Sequence, residues 1–327
     1  MIITKSPLRI TLGGGGTDLP SYYGEHGGFV MSAAIDKYVY ITLHPTFAHE
    51  LIAKYSRMER VKRARELEHP LLREVLLSLG FEEPGLEITS MADIPAGTGL
   101  GSSGSFTTAL ILALTALDRR RVEPKELAEH ACRIEIDVLA NPVGKQDPYA
   151  AAFGGLHAFH IASDGDVTVE PLRLTPQTLY DLEDNLVLFF TGFSRSAPEI
   201  LAEQDRSSRA HDPAITEHLH RVKEIGIESK ALLEAGELDR FGERMHAHWL
   251  LKRQRSTRMS NAEIDTWYEL GMASGARGGK IVGAGGGGFL MFYANDKSRI
   301  RRAMAEAGLP EVRFRFEFRG AQVVSQP

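Results

Sequence analysis

Glycine constrains this chain more than any other residue type. Of its 327 residues, 32 are glycine, and many of them fall in three clusters. The clusters are Gly13–Gly16, the glycines within residues 95–104 (PAGTGLGSSG), and Gly283 with Gly285–Gly288. Glycine adopts positive φ angles without strain and lets backbone N–H groups approach a ligand closely. The clusters therefore predict ligand-binding loops between the regular elements.

The composition is that of an ordinary globular protein. Hydrophobic residues make up 43% of the chain and charged residues 25%, which excludes a disordered or fibrous chain. The formal net charge of -5 disfavours nucleic acid and anionic membranes as partners. The single Cys132 forbids an internal disulfide, and the longest apolar stretch, residues 106–117, is too short to cross a bilayer. We predict a cytoplasmic protein with no nucleic-acid or membrane partner.

Short runs of strand-forming residues mix with helical patterns, and hairpin signals replace strict strand–helix–strand order. This arrangement predicts the α+β class. Apolar periodicity predicts a helix over residues 125–139, alternation predicts a half-buried strand over 312–318, and the charged stretch 57–68 is interpreted as a solvated helical face. The chain length predicts two lobes, and we set their boundary near residue 160, giving domains 1–160 and 161–327.

The second glycine cluster runs directly into the helix predicted from Phe106. The unpaired N–H groups and the dipole at a helix N-terminus attract anions, and neighbouring glycines let a phosphate come close. The alternative is an ordinary glycine-rich turn with a serine cap. The predicted phosphate-binding residues are Pro95, Gly97, Gly99, Leu100, Gly101, Ser102, Ser103, Gly104 and Ser105.

Two clusters also fit the G-x-G-x-x-G pattern of dinucleotide-binding proteins. The matches are Gly99-x-Gly101-x-x-Gly104 and Gly283-x-Gly285-x-x-Gly288. In the first, residues 93–95 separate the preceding strand from the glycines, and in the second a strand follows where a helix is needed. A Rossmann-type NAD(P) oxidoreductase is therefore a remote alternative.

Taken in order, the three clusters resemble the motifs of the GHMP small-molecule kinases, which include galactokinase, homoserine kinase and mevalonate kinase. The matching segments are residues 6–18 (SPLRITLGGGGTD), 95–104 and 280–288 (KIVGAGGGG). The resemblance implies a two-lobed GHMP kinase fold, with an N-terminal lobe similar to ribosomal protein S5 domain 2 and a ferredoxin-like C-terminal lobe. It also implies that ATP binds between the lobes. A non-catalytic sugar-binding relative is an alternative.

The resemblance implies roles for several side chains. Asp147, in the segment NPVGKQD, matches the aspartate that orients or deprotonates the acceptor hydroxyl, and Arg9 takes the place of the catalytic basic residue. Ser103 and Glu135 match the pair that holds Mg²⁺, an ion that prefers hard oxygen ligands. The implied cofactor is Mg²⁺, with ATP as co-substrate. The implied adenine contacts are Tyr55 and Ser56.

On the acceptor side, the sequence departs from galactokinases. Those enzymes carry Gly-Glu-His where this chain has Gly14-Gly15-Gly16, and the loss of two side chains suits a bulkier or phosphorylated sugar. Asp18 takes the place of a carboxylate that binds sugar hydroxyls, and Arg195 is the first choice for holding a distal phosphate. The predicted substrate-binding residues are Gly14, Gly15, Gly16, Thr17, Asp18, Arg195, Lys252, Gly285 and Gly286.

Within the family, this pattern looks like the branch that phosphorylates the anomeric hydroxyl of D-glycero-D-manno-heptose 7-phosphate. The segments 14–18, 143–147, 191–196 and 249–253 carry the likeness. The implied product is the 1,7-bisphosphate used in GDP-heptose synthesis, and an L-fucose kinase is the close alternative. The predicted partners are thus ATP and a small sugar or sugar phosphate, and a homo-oligomer stays open.

Overall fold

The computed structural model describes residues 1–47, 49–83, 85–192, 212–255, 259–283 and 285–326. The strands are β1 (Ile2–Gly13), β2 (Gly28–Pro45), β3 (Leu51–Lys54), β4 (Met58–Val61), β5 (Leu86–Ala92), β6 (Leu156–Ile161), β7 (Val167–Pro171), β8 (Leu186–Phe190), β9 (Gly278–Ile281), β10 (Phe289–Tyr293) and β11 (Gln322–Ser325). The helices are α1 (Pro20–His26), α2 (Pro70–Ser78), α3 (Ser102–Leu117), α4 (Pro124–Cys132), α5 (Gln146–Phe153), α6 (Pro176–Asn185), α7 (Pro213–Glu234), α8 (Leu238–Arg255), α9 (Ala262–Ala273) and α10 (Lys297–Glu306). The predicted α+β class is confirmed. None of these helices is both long and apolar enough to span a membrane.

The N-terminal lobe is built on a sheet of eight of the described strands. Its main order is β11-β1-β2-β5-β3-β4, and β6 and β7 extend it beside the first half of β2. The 18-residue β2 pairs with β1 along its length, with β6 through residues 28–33 and with β5 through residues 39–45. Residue 160 lies inside β6, so the sheet continues past the predicted boundary. We place the division between the lobes after Pro171, and β11 returns to the first lobe.

One helix fills the centre of this lobe. α3 packs on β1 and β2, and it is apolar on all sides, as expected for a helix enclosed by protein. It begins at Ser102, four residues before the predicted start, because Gly101 is left-handed, with a φ angle of 79°, and the chain turns helical directly after it. The second glycine cluster therefore forms the loop that leads into α3.

The helix predicted over 125–139 is interrupted. α4 ends at Cys132, and a π-helical turn, Arg133–Val138, follows. A π turn adds a residue per turn, and such turns are frequent at functional sites. Here the π turn carries Glu135, which is buried.

The C-terminal lobe has its own sheet, ordered β8-β10-β9, and its own core around Trp249, Tyr268 and Phe292. The chain at residues 310–312 runs beside β8, where Phe190 N donates to Pro310 O and Val312 N donates to Leu188 O. The order strand, helices, two strands, helix and extended segment is the ferredoxin-like order that the family resemblance implied.

Two predicted elements were wrong. The strand predicted over 312–318 is part of an extended crossing between the lobes. This crossing, over residues 311–318, bridges once to each sheet, at Phe189 with Glu311 and at Ile35 with Phe316. The helix predicted over 57–68 is the edge strand β4 with a short 3₁₀ turn, Ala64–Glu66. Its charges lie along an exposed sheet edge, where charged residues also block pairing with other chains.

Candidate active site

Two adjoining cavities meet at Arg9, Val143 and Asp147, which line both. The larger has a volume of about 680 Å³ and lies in the N-terminal lobe beside the second glycine cluster. The smaller lies between the lobes. The residues that line it from both sides include Gly15, Gly16, Asp18, Gln146, His248, Lys252, Lys280 and Gly283.

A bidentate ion pair stands at the junction of the cavities. Arg9 Nε donates to Asp147 Oδ1 at 2.8 Å, and Arg9 Nη2 lies 2.7 Å from the same oxygen. Arg9 Nη1 donates to the carbonyl of Gly99, so the guanidinium also holds the second glycine cluster. The Arg9 side chain is buried, whereas Asp147 is 31% exposed. Because both nitrogens bind Oδ1, the partly exposed carboxylate can present Oδ2 to a ligand.

Glycines allow the pair to form. A Cβ at Gly104 would lie 2.7 Å from the backbone of Asp147 and Pro148, so a side chain there would push the first turn of α5 off α3. A Cβ at Gly101 would lie 3.1 Å from Cγ of Arg9. The second glycine cluster therefore positions Asp147 as well as facing the larger cavity.

Part of the predicted phosphate set faces the larger cavity. Gly97, Gly99, Gly101, Ser102 and Ser103 line it, and the three glycines have φ angles of 79°, 84° and 79°. The other four do not line it: Pro95, Leu100, Gly104 and Ser105. The Ser105 hydroxyl donates to Pro7 O at 2.7 Å in the interior, because the helix periodicity turns that position toward β1. We therefore withdraw the Ser105 side chain from the predicted phosphate contacts.

The predicted metal ligands, Ser103 and Glu135, lie together in the lining of the larger cavity. The Ser103 hydroxyl donates to Glu135 Oε2 at 2.5 Å, and the Thr107 hydroxyl donates to Oε1 at 3.1 Å. Burial, reinforced by the nearby charge of Asp147, raises the pKa of Glu135 to about 7. A buried carboxylate that has hydroxyl partners and, within the described residues, no ion pair fits a cation, so this donor set suits Mg²⁺. Thr107 was not predicted, although its spacing of four from Ser103 puts both on one helix face.

The predicted adenine contacts, Tyr55 and Ser56, line the same cavity. The Tyr55 ring lies edge-on to His69, and His69 stacks on Phe106, with ring centroids 4.7 and 5.2 Å apart. Burial lowers the pKa of His69. His69 and Phe106 were not predicted, because no local pattern indicates that α2 and α3 bring them together.

At the first glycine cluster, Gly15, Gly16 and the nearby Asp18 line the smaller cavity. Asp18 Oδ1 accepts a hydrogen bond from Gly16 N and Oδ2 accepts one from Gln146 N, both at 3.1 Å. Burial, together with the charge of Asp147, raises the pKa of Asp18. Asp18 therefore ties the first glycine cluster to the start of α5, one residue before Asp147.

Several predicted substrate contacts face elsewhere. The Thr17 hydroxyl donates to Phe29 O at 2.6 Å, and a Cβ at Gly14 would fall 2.1 Å from the same carbonyl. Gly286 N donates to Met259 O, and neither Gly286 nor Gly285 lines the cavity. These residues contact neighbouring backbone and side chains of the protein and do not face the cavity. Arg195 lies outside the described residues.

Two lysines of the C-terminal lobe reach the smaller cavity. Lys252, on α8, donates to the carbonyls of Ile281 and Gly283. Lys280, on β9, donates across the lobe junction to Leu12 O at 2.9 Å. Lys280 was not predicted, because the sequence gives no sign that its side chain contacts the other lobe.

Two family models match the chain. The model for the GHMP kinases N terminal domain matches residues 59–155, and the model for the GHMP kinases C terminal matches residues 229–309. Together they cover more than half of the chain.

Individual relatives extend the similarity. The D-glycero-alpha-D-manno-heptose 7-phosphate kinase of Campylobacter jejuni is 29% identical over 305 residues, covering 90% of this chain and 89% of that protein. The bifunctional fucokinase/GDP-fucose pyrophosphorylase of Arabidopsis thaliana is 25% identical over 90% of this chain, which spans 30% of that protein. The crystal structure of a D-glycero-D-manno-heptose 1-phosphate kinase from Bacteroides thetaiotaomicron has the same fold, with a TM-score of 0.81, 24% identity and full coverage of both chains.

Proposed function

Because this chain belongs to the GHMP kinase family, we propose that it transfers the γ-phosphoryl group of ATP to the anomeric hydroxyl of D-glycero-D-manno-heptose 7-phosphate. The observation that carries the reaction type is the Arg9–Asp147 pair at the junction of the two cavities. ATP occupies the larger cavity and the sugar the smaller. The sugar assignment is supported by the 29% identity with the heptose 7-phosphate kinase across most of both chains.

The reaction needs positioning and charge neutralisation more than covalent chemistry by the protein. The acceptor oxygen forms a bond to the γ-phosphorus as the bond to the β–γ bridging oxygen breaks, and ADP leaves. The hydroxyl proton passes to the carboxylate of Asp147, which Arg9 holds in position. Arg9 also faces the charge that develops on the transferring group. Ser103 and Glu135 would hold Mg²⁺, which supplies further positive charge to the phosphates.

The product is the sugar 1,7-bisphosphate, which suits the synthesis of a nucleotide-linked heptose. Because ATP is the donor, the reaction belongs in the cytoplasm.

The second candidate is an L-fucose kinase, which the similarity to the Arabidopsis thaliana fucokinase favours. The two candidates differ in whether the acceptor already carries a phosphate.

A coupled ADP-release assay separates the candidates. The purified protein is supplied with MgATP and, in separate reactions, with D-glycero-D-manno-heptose 7-phosphate, the free heptose, L-fucose or galactose. We expect kcat/KM to be highest for the heptose 7-phosphate. Higher kcat/KM for L-fucose would replace the heptose assignment with the second candidate, and no ADP release with any acceptor would contradict the kinase proposal.

A further inference from the structure

Lys280 is the most deeply buried cation of the smaller cavity. Its exposed fraction is 2%, and its ammonium donates to the backbone carbonyl of Leu12, at the end of β1. Leu12 directly precedes the first glycine cluster, Gly13–Gly16, which we call the acceptor loop. The lysine side chain therefore reaches from the C-terminal sheet to the start of this loop. Lys280 lines the smaller cavity and does not line the larger one.

The ammonium of Lys280 has no counter-ion in the part of the chain that the structure describes. The ion pairs found there include none to Lys280, and its one hydrogen-bond acceptor is a neutral carbonyl. The neighbouring charge that acts on it is Arg9, another cation. Burial, with the repulsion from Arg9, lowers its pKa to about 7. A buried ammonium of this kind is unfavourable until an anion joins it.

The other charged groups of the cavity do not supply that anion. From the N-terminal lobe, Asp147 is held by Arg9, and both oxygens of Asp18 accept backbone N–H groups. From α8, His248 and Lys252 line the same cavity, and Lys252 adds positive charge. An ammonium has three N–H donors, and Lys280 uses one of them in its hydrogen bond to Leu12 O.

We propose that Lys280 binds the phosphate that the acceptor sugar already carries, so that the substrate supplies the missing counter-ion. The inference rests on the proposed function, because it assigns one group of that substrate to one residue. It also gives a role to the lysine at this buried position of β9, where its chain neighbours are glycine and isoleucine. Lys280 is then a specificity residue, since a sugar without a phosphate leaves it unpaired.

The test compares Lys280→Met and Lys280→Gln with the wild type. Methionine keeps the length of the side chain without the charge, and glutamine keeps an N–H donor for Leu12. The matched control is Lys125→Met, which removes an exposed lysine paired with Asp166. Binding of D-glycero-D-manno-heptose 7-phosphate and of the free heptose is measured by calorimetry at pH 8, in two buffers with different ionisation enthalpies. ADP release with MgATP gives kcat on each sugar.

We expect both Lys280 variants to bind the heptose 7-phosphate roughly 10- to 150-fold more weakly, which is the range for a lost charged hydrogen bond. Their affinity for the free heptose should stay near that of the wild type. The wild type should take up a proton on binding the phosphorylated sugar, and both variants should not. The control should match the wild type in all measurements.

Three results would overturn the inference. Equal losses of affinity for both sugars in Lys280→Met, with wild-type affinity in Lys280→Gln, would show that the lysine only supports the backbone at Leu12. Unchanged binding with a lower kcat on both sugars would assign it to the transferring phosphoryl group. Wild-type affinity for the phosphorylated sugar in both variants would remove it from recognition. A wild type that binds the phosphorylated sugar no better than the free one contradicts the proposed function itself, before any variant is measured.

Discussion

At the scale of single residues, the proposed reaction depends on the carboxylate of Asp147. Replacing Asp147 with Asn keeps the shape of the side chain but removes the charge that Arg9 binds and the basicity that the acceptor hydroxyl needs. We expect kcat to fall by about 100-fold or more, with KM for ATP near the wild-type value. ADP release measures both. Asp118→Asn, at an exposed carboxylate after α3, is the control, and more than half of wild-type turnover in Asp147→Asn would remove Asp147 from the mechanism.

The buried carboxyl of Glu135 makes the stability of the protein depend on pH. Its pKa is raised from 4.5 to about 7, so the folded chain keeps a proton that the unfolded chain loses as pH rises between these values. The stability that this proton contributes is fully present below pH 4.5 and is lost as pH rises through about 7. We therefore expect the free energy of unfolding of Glu135→Gln to exceed that of the wild type by about 3 kcal/mol at pH 8. Near pH 4.5 the two proteins should be equally stable. Urea denaturation at both pH values measures this difference.

The same Glu135→Gln variant tests the metal site. The neutral amide is a weaker ligand for Mg²⁺ than a carboxylate, so half-maximal activity should require more Mg²⁺. Glu126→Gln, on the outer face of α4, is the control and should leave the titration unchanged. An unchanged Mg²⁺ titration in Glu135→Gln would count against the Ser103–Glu135 pair as the metal site.

At the scale of elements, α7 supports the first glycine cluster. Lys223 donates to the carbonyls of His26 and Gly27 at the end of α1, and a Cβ at Gly226 would lie 2.9 Å from Gly14 N. We expect Gly226→Ala to displace the acceptor loop and to raise KM for the sugar by roughly 10-fold, with KM for ATP unchanged, since overpacking costs about 1–3 kcal/mol. Gly24→Ala, in α1 with open space around it, should leave both KM values as they are. An equal rise in both KM values would show that α7 does not act through the acceptor loop.

At the scale of the whole molecule, the two lobes meet through glycine. A Cβ at Gly283 would fall 2.5 Å from Cα and O of Gly99, so the third glycine cluster packs directly on the second. We expect Gly283→Ala to separate these loops and to lower kcat/KM for both substrates by about 100-fold, because small displacements at a reacting centre are costly. Gly308→Ala is the matched control: Gly308 has a φ angle of 80°, close to the 75° of Gly283, but open space around it. Equal losses in both variants would mean that backbone strain, not lobe contact, causes the effect.

The sequence by itself predicted the three glycine loops, α3 and the α+β class. These features follow from local patterns, because apolar spacing reports burial and glycine runs report positive φ angles. The order of the motifs then supplied the family, and the resemblance to that family gave Arg9, Asp147, Ser103 and Glu135 as predicted site residues. The sequence could also have shown Thr107, which shares a helix face with Ser103.

Only the tertiary structure decided which side chains face the cavities. Ser105 and Thr17 were predicted ligand contacts, yet their hydroxyls donate to interior carbonyls. Residues 312–318 alternate like a strand, yet they cross between two sheets and pair fully with neither. Lys280 donates a hydrogen bond to Leu12 O, although the two residues are 268 positions apart in the chain. Contacts between distant residues depend on how sheets and helices stack, and local sequence patterns do not encode that stacking.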